Sequence, residues 1–225
     1  MADGRSYPPW HPTRPPAGAR AIACYQTPEE AAGAGYPPAP PPPGGTVIGG
    51  VYLVPTDRAF RARCQPAADR LGIAVPCPGL LPIPARGTAQ PDLCGQDAPC
   101  DNGTGFILRQ EGFQVPAGYF GIDKQAQGAL ELTAFPARRP AGAVNFACET
   151  ERRIATVAVQ GTRAVLVGCT GWSTSGQMTL RWTQAGTRIS VSLQGTSEVN
   201  QDLLTALATH LRLVRPATKV SSARP

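Results

Sequence analysis

Seven cysteines, two histidines and fifteen carboxylates are the side chains with chemistry to offer. Cys24, Cys64, Cys77, Cys94, Cys100, Cys148 and Cys169 form no CxxC pair. A structural zinc site draws on ligand pairs a few residues apart or on histidines close by. His11 and His210 fall instead in an N-terminal tail and a C-terminal helix, so no metal ligands are expected. The spacing suits short-range disulfides. Cys94 with Cys100 closes a small polar loop, Cys64 with Cys77 ties a helix to the extended segment after it, and Cys148 with Cys169 clamps a hairpin. Each closure restricts the unfolded chain and contributes about 2 to 4 kcal/mol. Bridges of this kind point to an oxidising compartment, with buried reduced thiols as the competing reading. Cys24 is left over as the odd thiol.

Catalytic patterns are missing. The chain has no GxSxG, no HExxH and no phosphate-binding glycine loop. A cysteine nucleophile needs a neighbouring histidine or a helix N-terminus to lower its pKa, and the sequence supplies neither. Asp97, Asp101 and Asn102 are oxygen donors near glycine, yet their spacing is not that of a calcium loop, and Asp, Asn and Gly are the usual turn formers. Neither catalytic nor cofactor-binding residues are therefore expected. An enzyme whose site residues lie far apart in sequence is kept as an alternative.

The net charge is +6, and Lys124 and Lys219 are the only lysines. That preference for arginine, with the abundance of Ala, Gly and Pro, reads as codon bias of a GC-rich bacterial genome. Nucleic-acid binders cluster basic residues with aromatics on one face. Here Arg138-Arg139 and Arg152-Arg153 are scattered pairs, and Arg58, Arg61, Arg63 and Arg70 read as the solvated face of one helix. Nucleic acid is excluded as a partner, which leaves an unknown protein or a small ligand. Glu149 and Glu151 stand beside Arg152 and Arg153, where solvated ion pairs are the expectation.

Charged residues are only 16% against about 25% in typical domains, while 42% is hydrophobic, enough for a real core. Residues 7–16 and 36–45 are proline-rich and read as extended spacers. Between them Thr27-Pro28-Glu29-Glu30 has the form of a helix start with a life to about Ala32. The organisation expected is a Pro/Gly-rich tail over 1–45, a single domain over 46–215 and a flexible tail over 216–225.

Within the domain, Thr46 to Val54 reads as a strand. Asp57 then opens a helix with an apolar stripe of Phe60, Cys64, Ala67 and Leu71, closed by Gly72 and kinked or split at Pro66. Ile73 to Pro84 has prolines too frequent for a central strand. From Phe106 onward the period is two. Strands are expected at 106–109, 119–122, 129–135 and 144–149, followed by two hairpins. In the first, a turn centred on Gly161-Thr162 sets Val157 and Val159 against Leu166 and Ala164. In the second, Met178, Leu180 and Trp182 oppose Ile189, Val191 and Leu193 across Ala185-Gly186. Arg181, Thr183, Arg188, Ser190 and Ser192 take the other, wet face. A last helix, capped by Asn200 or Ser197, aligns Val199, Leu203, Leu207, Leu211 and Val214 to cover the dry face, with His210 on or beside that stripe as a structural residue. Trp182 is expected in the core. The fold class is α+β: a mainly antiparallel sheet packed on one face by the C-terminal amphipathic helix and the earlier Pro-kinked helix.

The segments ATVAVQGTRAVLVGC, MTLRWTQAGTRISVSLQG and VNQDLLTALATHLRLV carry a resemblance. In running a hairpin, a strand ending in Leu-x-Trp, a Gly turn, another strand and a closing helix, this third of the chain resembles domains of unknown function in extracytoplasmic parts of bacterial membrane proteins and anti-sigma regulators. The resemblance implies architecture and an extracytoplasmic location, and it brings no catalytic residues. Residues 1–45 hold no apolar signal region and the chain no run able to span a bilayer, so any targeting element is expected outside it. Ala21-Ile22-Ala23-Cys24 only faintly follows a lipoprotein cleavage site. A non-enzymatic binding or sensor domain of the bacterial envelope is the function expected, with a carrier of an apolar ligand between sheet and helix as a further alternative.

Overall fold

The computed structural model describes residues 5, 28–37, 40, 43–48, 51–82, 92–94, 105–114, 127–138, 150–170, 177–194 and 200–217. The short helix α1 (Pro28–Gly33) starts at the expected proline, and its Ala31 is buried. The segment expected as one strand is instead a hairpin, β1 (Thr46–Ile48) and β2 (Val51–Pro55). Ile48 pairs with Val51, so residues 49 and 50, both glycine, make the connection. A two-residue glycine link is a hairpin signal in its own right, masked here by the apolar residues around it.

Helix α2 (Arg58–Leu71) is bounded as its caps dictate. Asp57 accepts a hydrogen bond from the Phe60 amide at 2.6 Å, and Gly72 closes the helix in a left-handed conformation. The helix runs through Pro66 without splitting. The proline removes one amide donor, but Cys64, Ala67 and Ala68 are buried on either side of it, and that packing holds the two turns in one helix.

The proline-rich segment after α2 forms two short strands, β3 (Val75–Pro78) and β4 (Leu80–Pro82). Among the described residues each pairs on one side only, which prolines tolerate. β4 adds to β2 in a three-stranded sheet, and β3 pairs with the last strand of the chain. Gly79, at the joint, donates its amide to the His210 carbonyl at 2.9 Å and accepts from the Thr56 amide at 3.0 Å. A Cβ at Gly79 would lie 2.8 Å from the His210 carbonyl oxygen, so no larger residue fits.

The main sheet is antiparallel throughout and has seven strands among the described residues. In chain order these are β5 (Asp92–Cys94), β6 (Phe106–Gln114), β7 (Gln127–Pro136), β8 (Thr150–Val159), β9 (Thr162–Thr170), β10 (Gln177–Gln184) and β11 (Thr187–Gln194). In space the order is β5-β6-β7-β11-β10-β9-β8. The β10–β11 register is the one the alternation predicts: Met178 with Leu193, Leu180 with Val191, Trp182 with Ile189. The β8–β9 register differs from expectation by two residues. Val157 faces Ala164 and Ala155 faces Leu166, because the turn is Gln160-Gly161, with φ of 47° and 76°. Two positive φ values make a primed turn whose twist matches the strands. The strands expected over 119–122 and 144–149 lie outside the described residues.

One face of this sheet is dry. Phe106, Leu132, Leu166, Leu180, Ile189 and Leu193 are at most 2% exposed, and Trp182 lies in the same core with its Nε1–H donating to Gln184 Oε1 at 3.2 Å. Leu203, Leu204, Leu207 and Ala208 of α3 (Asn200–Thr209) share that core, as do Leu53, Ala67, Val75 and Leu80.

The last helix is shorter than its stripe suggests. It ends at Thr209, and Leu211 and Val214 belong to strand β12 (Leu211–Val214), paired with β3 from Leu211–Pro78 to Val214–Val75. Leucines three and four apart fit a helix, but alternation in Leu-Arg-Leu-Val fits a strand equally, and an available edge decides between them. His210, at the junction, is exposed and not on a buried stripe; its Nδ1 lies 2.8 Å from the Ala206 carbonyl oxygen.

Candidate functional site

The second face of the seven-stranded sheet is polar, and in its centre it is also withdrawn from solvent. Register places its side chains on a grid across β7, β11 and β10. Glu131, Ser192 and Thr179 stand in one row, Thr133, Ser190 and Arg181 in the next, and Gln177 follows Thr179 on the near side. Glu131 is 5% exposed, Thr133 4%, Thr179 6%, Ser192 8% and Gln177 5%. Ile107 and Phe135, on the same face, are buried yet stand apart from the apolar core.

This corrects the expectation of a wet face. Of the five residues assigned to it, only Thr183 is exposed; Arg181, Arg188 and Ser190 are half-buried and Ser192 is buried. Alternation reports which side chains are polar, and not whether water reaches them. The signal that distinguishes the cases is residue type. A solvated sheet face favours long charged side chains, whereas here the centre carries hydroxyls.

Buried polar groups need partners. Thr133 Oγ1 and Ser190 Oγ are 2.5 Å apart, and Thr179 Oγ1 and Ser192 Oγ 2.9 Å. Both pairs bridge neighbouring strands. Arg181 reaches across β9 to Glu151 in a two-point ion pair, Nη1 to Oε2 at 2.8 Å and Nη2 to Oε1 at 2.5 Å. Glu151 thus pairs with a residue distant in sequence and not with its neighbours Arg152 and Arg153; Arg153 donates to Thr156 Oγ1. Both partners of the Arg181 pair are more than a third exposed, so its net effect on stability is small. Arg188 donates to the Ala137 carbonyl at 3.1 Å. Gln177 Oε1, by contrast, is buried and accepts no hydrogen bond.

Of the residues singled out by sequence, Cys64 and Cys77 are joined in a disulfide, with Cα atoms 5.8 Å apart. It links α2 to β3 beside the core, away from the polar face. Cys94 lies in β5 and Cys169 in β9, while Cys24, Cys100 and Cys148 fall outside the described residues, as do Asp97, Asp101, Asn102 and Glu149. Arg58, Arg61, Arg63 and Arg70 are exposed on α2. Among the described residues, no three metal-ligating side chains converge, and no helix is long and apolar enough to cross a membrane. The buried polar grid itself was not singled out by sequence, because its members come from three strands and share no motif.

Comparison with known proteins adds no relative: no family model, curated protein or solved structure matches the chain.

Proposed function

We propose that this chain is a non-enzymatic binding or sensor domain of a bacterial envelope protein, working outside the cytoplasm and taking a small polar ligand on the second face of its main sheet. In this reading residues 46–215 act as one domain behind a Pro/Gly-rich tail. Helix α3 and the Pro66-bearing α2 cover the dry face, and the polar face serves recognition. The observation that carries it is the buried polar grid with an unpartnered acceptor at Gln177. A fold gains little by burying a carboxylate, three hydroxyls and an amide where apolar residues would pack, so a function for them is the economical account. The hydroxyls bond to one another, and His210 is turned to a helix carbonyl, which favours binding over nucleophilic catalysis. The Cys64–Cys77 disulfide supports an oxidising compartment.

Two measurements test this. Protein purified without reductant is expected to show at most five reactive thiols after denaturation; all seven would end the extracytoplasmic reading. Amide chemical shifts recorded with a panel of small amino acids, carboxylates, amines and polyols are expected to move at Glu131, Thr179 and Ser192 for at least one class. No movement at that face with any class rejects it as the binding surface.

A further inference from the structure

Helix α2 spends one stripe of its surface on the core and leaves the rest to solvent. With about 100° of rotation per residue, Phe60, Cys64, Ala67, Ala68 and Leu71 point inward, while Ala59, Ala62 and Pro66 form an exposed outward strip. Arg58 and Arg61 flank this strip on one side and Arg63 and Arg70 on the other, all four exposed. The end of the chain adds to the first flank. Gln65, next along that side, donates to the Arg215 carbonyl at 3.0 Å, and Asp69 accepts from the Ala217 amide at 2.6 Å. Arg212 stands opposite Cys77, the residue bonded to Cys64 of α2, so its side chain leaves β12 on the side that bears the helix. Arg212 and Arg215 are exposed as well.

The charge of this face is not balanced locally. Residues 57–71 and 211–217 hold six arginines against two aspartates, a formal +4 out of the chain's +6. Asp57 is taken by the Phe60 amide, and Asp69 by the Ala217 amide and Gln65. Among the described residues, the guanidinium groups of Arg58, Arg61, Arg212 and Arg215 have no partner. Shape narrows the choice of anion. A helix crest is convex and offers no cleft to the side chains of an acidic peptide, and a strip of Ala and Pro gives nucleic-acid bases no aromatic to stack on. Small residues between two rows of arginines let a flat surface approach both rows at once.

We propose that α2 and β12 form a peripheral docking surface for an anionic phospholipid bilayer, with the helix axis along the membrane plane and the arginines over the headgroup phosphates. The apolar stripe of α2 stays in the core, so the contact is electrostatic and involves no insertion, unlike that of an amphipathic anchor helix. The polar sheet face takes no part in it, and a negative result here leaves the binding-domain reading standing.

The test is flotation of the full chain with vesicles of phosphatidylcholine alone and with phosphatidylglycerol added. Binding to the anionic vesicles is expected at about 0.05 M salt and should vanish at about 0.5 M, where screening is much shorter in range. Neutral vesicles are expected to leave the protein behind. Each arginine near an anionic surface is worth about fivefold in partition, so Arg58→Gln with Arg61→Gln is expected to weaken binding about tenfold or more. Arg212→Gln with Arg215→Gln should do the same. Arg138→Gln with Arg152→Gln removes equal charge from exposed positions off this face, and screening should hold its effect below about twofold. No binding to anionic vesicles at low salt, equal binding to neutral ones, or an equal loss in the Arg138 and Arg152 pair overturns the proposal. Displacement from the vesicles by an equal charge of poly-glutamate or duplex DNA overturns the assignment to lipid.

Discussion

Among the described residues two that are not glycine, Gln160 and Ala185, hold positive φ, 47° and 48°, each at the first position of a two-residue hairpin turn. Only one of them is compensated. The Gln160 amide donates to the Thr209 carbonyl at 3.1 Å and to the Leu211 carbonyl, closing the end of α3 against the β8–β9 turn. Ala185 has no side chain with which to do this. Ala185→Asn is therefore expected to raise stability by about 0.5 kcal/mol, since Asn tolerates the left-handed region. Gln160→Asn, too short to reach α3, is expected to lose about 1 kcal/mol in the same thermal melt despite its better turn propensity. A second residue carries the alkaline limit. Tyr52 is buried, and burial pushes its hydroxyl above the ordinary value near 10. The unfolded chain then ionises first. Stability is full below pH 10 and falls as pH rises beyond it toward the folded-state value. Alkaline unfolding followed by circular dichroism should show that slope, and Tyr52→Phe should flatten it.

At the scale of elements, the second hairpin and α2 are legible in sequence because each advertises its own ends: Ala185-Gly186 with clean alternation on both sides, Asp57 and Gly72 around one apolar stripe. Elements whose identity depends on a distant partner are not. Leu211 and Val214 continue the α3 stripe by spacing, and only the edge of β3 turns them into a strand. The burial of the polar face is hidden from sequence for the same reason, since withdrawal from water is a property of the assembled sheet. The edge strand β8 shows how such an assembly protects itself: a bulge between Arg153 and Ala155 and the exposed charges of Arg152 and Arg153 discourage further pairing, even with Ile154 45% exposed. The small two-stranded sheet, by contrast, depends on a staple. Cys64–Cys77 fixes β3 to α2, Asp69 Oδ1 accepts from the Ala217 amide at 2.6 Å, and Gln65 donates to the Arg215 carbonyl at 3.0 Å, so α2 and β3 together hold β12. Replacing both cysteines by alanine is expected to cost about 3 kcal/mol. Hydrogen exchange should locate the loss: amides of residues 211–214 should exchange faster by the largest factor, while those of β10 and β11 change only with global stability. Uniform acceleration would show that the staple acts on the whole fold and not on this corner.

Across the whole molecule the question is whether three sheets make one folding unit. Among the described residues, Gln110 of the seven-stranded sheet donates to the Pro82 carbonyl of β4. Apolar contact joins the sheets as well. Val51 and Leu53 of β2, Val75 of β3, Leu80 and Leu81 of β4 and Leu211 of β12 belong to the same buried core as Leu132, Leu180, Ile189 and Leu193 of the main sheet. Two- and three-stranded sheets of three to five residues per strand bury too little surface to persist alone. Their order must come from that shared core, and it should vanish with it. Leu53 and Leu193 are both completely buried, one in each sheet. Leu53→Ala and Leu193→Ala are each expected to cost about 2 to 5 kcal/mol and to shift one and the same calorimetric transition, with calorimetric and van't Hoff enthalpies in agreement. If Leu53→Ala instead split the melt, moving a minor early transition and leaving the main one in place, the small sheets would be a separable layer. The disulfide would then be what keeps that layer folded, and the loss in the cysteine variant should match the area of the early peak.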